Sequence, residues 1–224
     1  TVVRRNVNVQ YRNRGSWYGP GWYAKYPTAW RAGRLTTAAI WSATSWNALS
    51  SYWGAPASSQ PVYYDYGNTI VYEGDTVYNG DEPVASAEEY YEEATEIADA
   101  GGSEAEVNDD DDWMSLGVWA MVKGDEEESN NILQLAVNKE GIIRGNHYSA
   151  LTDETSPIQG SVNQETQRAA WTVGDNSKVV SETGIYNLTK EETEMLVHYG
   201  SDKTQQWSLV RLESPEESTE ESVE

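Results

Sequence analysis

Between residues 113 and 213, apolar and polar positions alternate with a period of two, in short runs that each end in a turn signal. The runs cover 114–123, 132–138, 142–151, 158–163, 168–174, 179–188, 194–199 and 205–212. The turns between them read KGDEEESN, KEG, TDETS, GDNS and GSDK. In the first run Leu116, Val118, Ala120 and Val122 are expected on one face. Such short links make consecutive strands pair antiparallel, and eight strands in a meander can remove their exposed edges by closing into a barrel.

Upstream the periodicity changes. Residues 86–100 read as a helix: Ser86 and Glu89 make a capping box, and Gly101-Gly102 end the run. Tyr90, Ala94, Ile97 and Ala98 fall on one face, and Glu88, Glu92, Glu96 and Asp99 on the face towards water. Residues 61–84 hold a small repeat, NTIVYEG echoed by DTVYNG, which predicts two or three short antiparallel strands. Residues 28–53 are expected to be partly helical, with Trp46, Leu49 and Trp53 on one stripe and Gly54 and Pro56 as the stop. That stripe suits packing of the helix onto its own body. Residues 1–27 carry Val3, Val7, Val9 and Tyr11 in a loose alternation that suggests one edge strand. They continue into GSWYGPGWY, which breaks regular structure.

The resulting expectation is a mainly β protein. It has a basic aromatic arm (1–27), a segment with helix, hairpin repeat and capped helix (28–102), and an acidic linker (103–112). An antiparallel eight-stranded meander barrel (113–213) and a disordered acidic tail (214–224) follow.

Charge sharpens this division. Residues 1–60 hold seven cations and no carboxylate, and the other 8 cations and 37 carboxylates leave the remainder at -29, for a total of -22. A polyanion such as nucleic acid would be repelled by the body, so an acidic partner that repeats this body suits both halves. Phe is absent while Trp is 10 and Tyr is 15, so the bulk comes from aromatic residues with a polar handle. Cys is 0, which excludes disulfides and thiolate chemistry. No apolar run is long enough to span a bilayer, and no basic-then-apolar signal segment is present; a start at TVVRRN fits a mature form whose leader was removed.

A catalytic constellation is missing. His147 and His198 sit on expected strands and could meet across the barrel, but a metal would still need further ligands. Asp109 to Asp112 fit a solvated charge run or, failing that, a cation site. No nucleophile elbow, phosphate loop or dinucleotide fingerprint occurs. A non-enzyme without metal or cofactor is expected.

Two resemblances add to this reading. The runs LGVWAMVK, NILQLAVNKEGIIRGNHYSAL and RAAWTVGD resemble avidin-like and lipocalin-like barrels in rhythm, with Gly117-Val118-Trp119 near the Gly-x-Trp of their first strand. No ligand-binding residue transfers. The order of WSATSWNALSSYWG, PVYYDYGNTIVYEGDTVY, AEEYYEEATEIA and the β domain resembles planctomycetal secreted proteins often labelled protocadherin-like. That resemblance implies secretion and a cell-surface or extracellular place. The functional expectation is a structural subunit that assembles head-to-tail with copies of itself, through Arg4, Arg5, Arg12, Arg14, Trp17, Tyr18, Trp22 and Tyr23. A monomeric barrel binding a small ligand, or a surface glycan, is the alternative. Neither needs nucleic acid or a membrane span.

Overall fold

The structure is a computed structural model that describes residues 1–56, 58–102, 105, 107 and 111–215. Among the described residues are five α-helices and eleven strands. The helices are α1 (Val2–Gln10), α2 (Pro20–Lys25), α3 (Thr37–Trp41), α4 (Trp46–Tyr52) and α5 (Ala87–Ala100). A small antiparallel sheet runs β1 (Ile70–Glu73), β2 (Thr76–Asn79) and β3 (Glu82–Ser86). The barrel strands are β4 (Met114–Lys123), β5 (Asn131–Val137), β6 (Ile142–Ser149), β7 (Glu154–Asn163), β8 (Arg168–Val173), β9 (Asn176–Gly184), β10 (Glu192–Tyr199) and β11 (Thr204–Arg211).

Each barrel strand pairs antiparallel with its sequence neighbour, and β11 returns to β4 through Trp207↔Lys123 to Arg211↔Trp119. The eight-stranded meander barrel expected from the alternation is therefore present. Its interior is filled by side chains: Trp119, Leu133, Leu135, Ile143, Ile158, Trp171, Met195 and Leu209 are all fully buried in one cluster. One end is stoppered by Leu49 of α4, with Trp46 and Trp53 beside it and Leu188 from a 3-10 turn, Asn187–Thr189. The 28–53 stripe thus packs onto its own body. It does so as two helices, because Ser45 starts a second one by accepting from the Ala48 N–H.

Two expectations about the arm side need correction. The first barrel strand does not keep Leu116 on the face of Val118, Ala120 and Val122. A bulge between Ser115 and Gly117 shifts the alternation, so Leu116 joins the interior while the other three point outward. The proposed edge strand at Val3 to Tyr11 is helix α1. Thr1 caps it by accepting from the Arg4 N–H, and Val3 and Val7, four residues apart, meet the barrel while Val9 is exposed.

The outward face of β4, β5 and β11 is then covered by the arm. Val118, Ala120, Val122, Ile132, Val210 and Leu212 form one apolar cluster with Val7, Tyr11, Tyr18, Trp22, Tyr26, Ile40 and Trp41. The Tyr18 ring packs at a tilt 4.7 Å from Trp22 and 5.7 Å from Trp41, which ties α2 to α3 over the barrel wall. Burying Tyr11, Tyr18, Trp22 and Trp41 at about 1.5–3 kcal/mol each contributes about 6–12 kcal/mol. That is as large as the whole stability of an ordinary domain, about 5–15 kcal/mol.

On the far side α5 lies across β7, β8 and β9, burying Tyr90, Ala94, Ile97 and Ala98 as its pattern required. The Ser86–Glu89 capping box is formed. At its end Gly101 touches β7 so closely that a Cβ would lie 1.6 Å from the Gly160 carbonyl oxygen. Arg144 holds that end by donating to the carbonyls of Gly101 and Gly102, which also opposes the negative end of the helix dipole. Of the acidic linker, residues 103, 104, 106 and 108–110 lie outside the described residues, as do 216–224 of the tail.

A docked arm gives a direct test. Trp22→Ala should lower stability by about 3–5 kcal/mol, as deletion of a buried indole does, while Arg12→Gln should stay within about 0.5 kcal/mol of the parent. Urea unfolding followed by circular dichroism reads both. An unchanged midpoint for Trp22→Ala would mean that the arm does not rest on its own barrel.

Candidate functional site

The eight residues singled out in the arm separate into two groups. Tyr18 and Trp22 are buried, and Trp17 is half-buried between Tyr11 at 5.5 Å and Tyr148 at 5.4 Å. Tyr23 is half-buried under the Arg31 guanidinium, whose carbon lies 4.9 Å from the ring centre. Arg14 is fully buried: Nε donates to the Glu213 carbonyl at 2.8 Å, Nη1 to the Tyr11 and Asn8 carbonyls at 2.8 and 3.2 Å, and Nη2 to Asn8 Oδ1 at 2.9 Å. Burial lowers its pKa, and its work is to fasten the end of α1 to the strand-end after β11. Arg4 reaches Glu191 at 2.8 Å and Glu213 at 3.2 Å. Only Arg5 and Arg12 remain exposed with no ion pair among the described residues.

Charge pairing also runs from the arm to the barrel. Lys25 Nζ lies 2.6 Å from Asp153, and the Thr1 hydroxyl donates to Glu192 at 2.7 Å. Exposed pairs of this kind add little stability, about 0–1 kcal/mol, but they fix the arm's position.

The two histidines do not meet. His147 points into the barrel, where Nε2 is 3.0 Å from Asn131 Oδ1, and burial lowers its pKa. His198 faces outward and is fully buried beneath the cap formed by α5 and the small sheet. Around it lies a polar network that sequence patterning gave no means to find. Glu182 of β9 is fully buried; Arg168 Nη2 donates to it at 2.7 Å, Tyr66 Oη at 3.3 Å, and His198 Nε2 lies 3.7 Å away. The Arg168 guanidinium also stacks on Tyr90, 3.9 Å from the ring centre, and donates to the Tyr90 carbonyl at 3.1 Å. His198 Nδ1 sits 2.9 Å from Thr204 Oγ1. This network pins α5 and Tyr66 to the barrel wall. Solvent reaches neither Glu182 nor His198, so the pair has no substrate access in this state.

Burial opposes ionisation of Glu182, but His198 and Arg168 outweigh it and hold the carboxyl below its usual range. A folded-state pKa below the unfolded value of about 4.3 gives stability that is complete above that value. It is lost as pH falls through the folded pKa.

The barrel interior contains a second unusual feature. Trp171 is fully buried and, among the described residues, its indole N–H has no acceptor within hydrogen-bonding reach; nor has the indole N–H of the half-buried Trp207. By contrast, Trp119 donates to the Leu116 carbonyl at 3.0 Å. A buried donor left without a partner costs about 1–3 kcal/mol, so these two are the interior groups with most to gain from an acceptor.

The arm lies over β11, β4 and β5 and presents Arg5 and Arg12, beside the carboxylates of Glu127, Asp153, Glu191, Glu192 and Glu213 that its other polar groups engage. Across the ring, over β7 to β9, α5 presents Glu88, Glu92, Glu96 and Asp99, while the small sheet, packed on β10 through Leu196, presents Glu73, Asp75, Asp81 and Glu82, all exposed. In an eight-strand ring β4 stands opposite β8, so the two faces point away from each other.

Glu182→Gln should cost about 3–5 kcal/mol, since it removes the buried partner of Arg168 and leaves that guanidinium only the exposed Glu93 as a counter-charge. Thermal melts from neutral pH down through the acid range check this. The parent should lose stability below about pH 4.3, and that loss should be shallower in Glu182→Gln. Parallel acid profiles would remove Glu182 from the explanation.

Comparison with protein-family models, with curated proteins and with solved structures gives no significant match to this chain.

Proposed function

We propose that the protein is a non-enzymatic structural subunit that assembles head-to-tail with copies of itself at the cell surface or outside the cell. The observation that carries this reading is the placement of cationic arm and acidic cap on opposite sides of one closed barrel. Two different faces that attract each other make a heterologous contact. Such a contact repeats into a ring or an open filament and does not stop at a dimer. The arm's aromatic side chains are engaged by its own barrel, so the contact uses the arm's outer surface and needs no exchange of the arm between copies. Surface glycans remain candidate partners for the outer aromatics. The extracellular place follows from the resemblance to planctomycetal secreted proteins.

The second reading is a barrel that holds a small ligand. The unpartnered indole donors of Trp171 and Trp207 favour it, because each would gain from an acceptor.

Negative-stain images of the purified chain at low and high salt, with a native mass spectrum of the same sample, discriminate the two. Elongated or ring-shaped particles that dissolve as salt rises are expected, because surface attraction is screened. A salt-independent monomer carrying a constant extra mass would overturn assembly in favour of the ligand reading.

A further inference from the structure

Helix α1 turns one narrow stripe to solvent. Val2, Arg5 and Val9 follow at helical spacing, with Val2 59% and Val9 57% exposed, and the exposed Arg12 lies in the turn just past the helix end at Gln10. The inner side of the same helix is committed to the barrel through Val7. A stripe that alternates two exposed valines with two unpaired guanidiniums has both an apolar surface and a charge pattern to satisfy.

Helix α5 presents the complement. Glu88, Glu92, Glu96 and Asp99 lie on one exposed face, opposite the buried Tyr90, Ala94, Ile97 and Ala98. None of the four carboxylates has an ion pair among the described residues, and no basic residue stands in the helix's last turn. Like charges four apart destabilise a helix. Asp99, in the last turn, also sits at the negative end of the helix dipole. The face is therefore one that a cationic partner would relieve.

Arg5 and Arg12 are seven residues apart in sequence, as are Glu92 and Asp99; the α5 interval spans about 10.5 Å at 1.5 Å per residue, and the other runs from α1 into the turn after it. We propose that the outer stripe of α1 docks along the acidic face of α5 in the next copy, with Arg5 and Arg12 against the Glu92–Asp99 register and Val2 and Val9 excluding water between them. This rests on the head-to-tail reading and names the two helices that make its contact.

The test uses full-length protein, in low salt with a chelator present. Two variants are compared with the parent by sedimentation velocity: Arg5→Glu with Arg12→Glu, and Glu92→Lys with Asp99→Lys. Each alone sets like charge against like charge and should sediment as a monomer where the parent is assembled. An equimolar mixture of the two restores opposite charges at every contact and should recover the parent's assembly. Circular dichroism of each variant confirms the fold. If the parent assembles and either variant assembles as well alone, or the mixture stays monomeric, the α1–α5 contact is wrong while head-to-tail assembly survives. If the parent itself never assembles, both fail.

Discussion

Closure of the barrel depends on one guanidinium. Arg211, on the last strand, is buried against Trp119 of the first, with its central carbon 4.1 Å from the ring centre. It donates to the carbonyls of Lys190 at 3.2 Å, Leu116 at 3.3 Å and Leu188 at 2.7 Å. It thereby caps the 3-10 turn at the stoppered end and ties the two strands that must meet. Burial lowers its pKa, and the three carbonyls supply the hydrogen bonds that water would otherwise give. The room for it comes from Gly117: at φ 101° only glycine is unstrained, and a Cβ there would lie 2.0 Å from Arg211 Nη1. The bulge, the glycine, the tryptophan and the arginine form one device, and the placement of every outward residue on β4 follows from it.

The outer wall then carries two coverings of different chemistry. The arm adheres by aromatic burial, with Arg14 and Arg4 fixing its ends; the cap adheres by apolar packing around the buried Glu182–Arg168 pair. These coverings place the unpaired Arg5 and Arg12 of the arm on one side of the barrel and the carboxylates of α5 on the other. Each cation that the arm uses on its own barrel is removed from the attraction between copies. Arg4, Arg14 and Lys25 are used in this way, which narrows the available charge to the exposed stripe of α1 and its surroundings.

Much of this architecture was legible in the alternation. The first barrel strand was expected at its observed bounds, and α5 with its capping box was fully specified by Ser86, Glu89 and Gly101. The fourth strand was drawn four residues short at its start, because Glu154–Pro157 contains a proline and polar residues that read as turn. The arm misled for a physical reason. Val3, Val7 and Val9 satisfy a strand period as readily as a helix period over so short a stretch, and the Thr1 cap and the barrel surface decide between them. Glu182, Arg168 and His198 could not be linked from sequence, since three neighbouring strands bring them together beneath a cap from elsewhere in the chain. The unpaired acidic face of α5, by contrast, was visible from the start.

Heterologous contact between the arm side of one copy and the cap side of the next is the central claim, and the absence of cysteine makes it directly measurable. Single variants Val9→Cys and Glu92→Cys are prepared, mixed and mildly oxidised, and the crosslinked products are resolved by mass. A disulfide forms readily only where Cα atoms approach to about 4.4–6.8 Å, so it reports contact between the two faces. Head-to-tail docking requires the Val9→Cys and Glu92→Cys chains to crosslink to each other, with little of either homodimer. Preferential Val9→Cys homodimers, or no enrichment of the mixed product over random pairing, would contradict it.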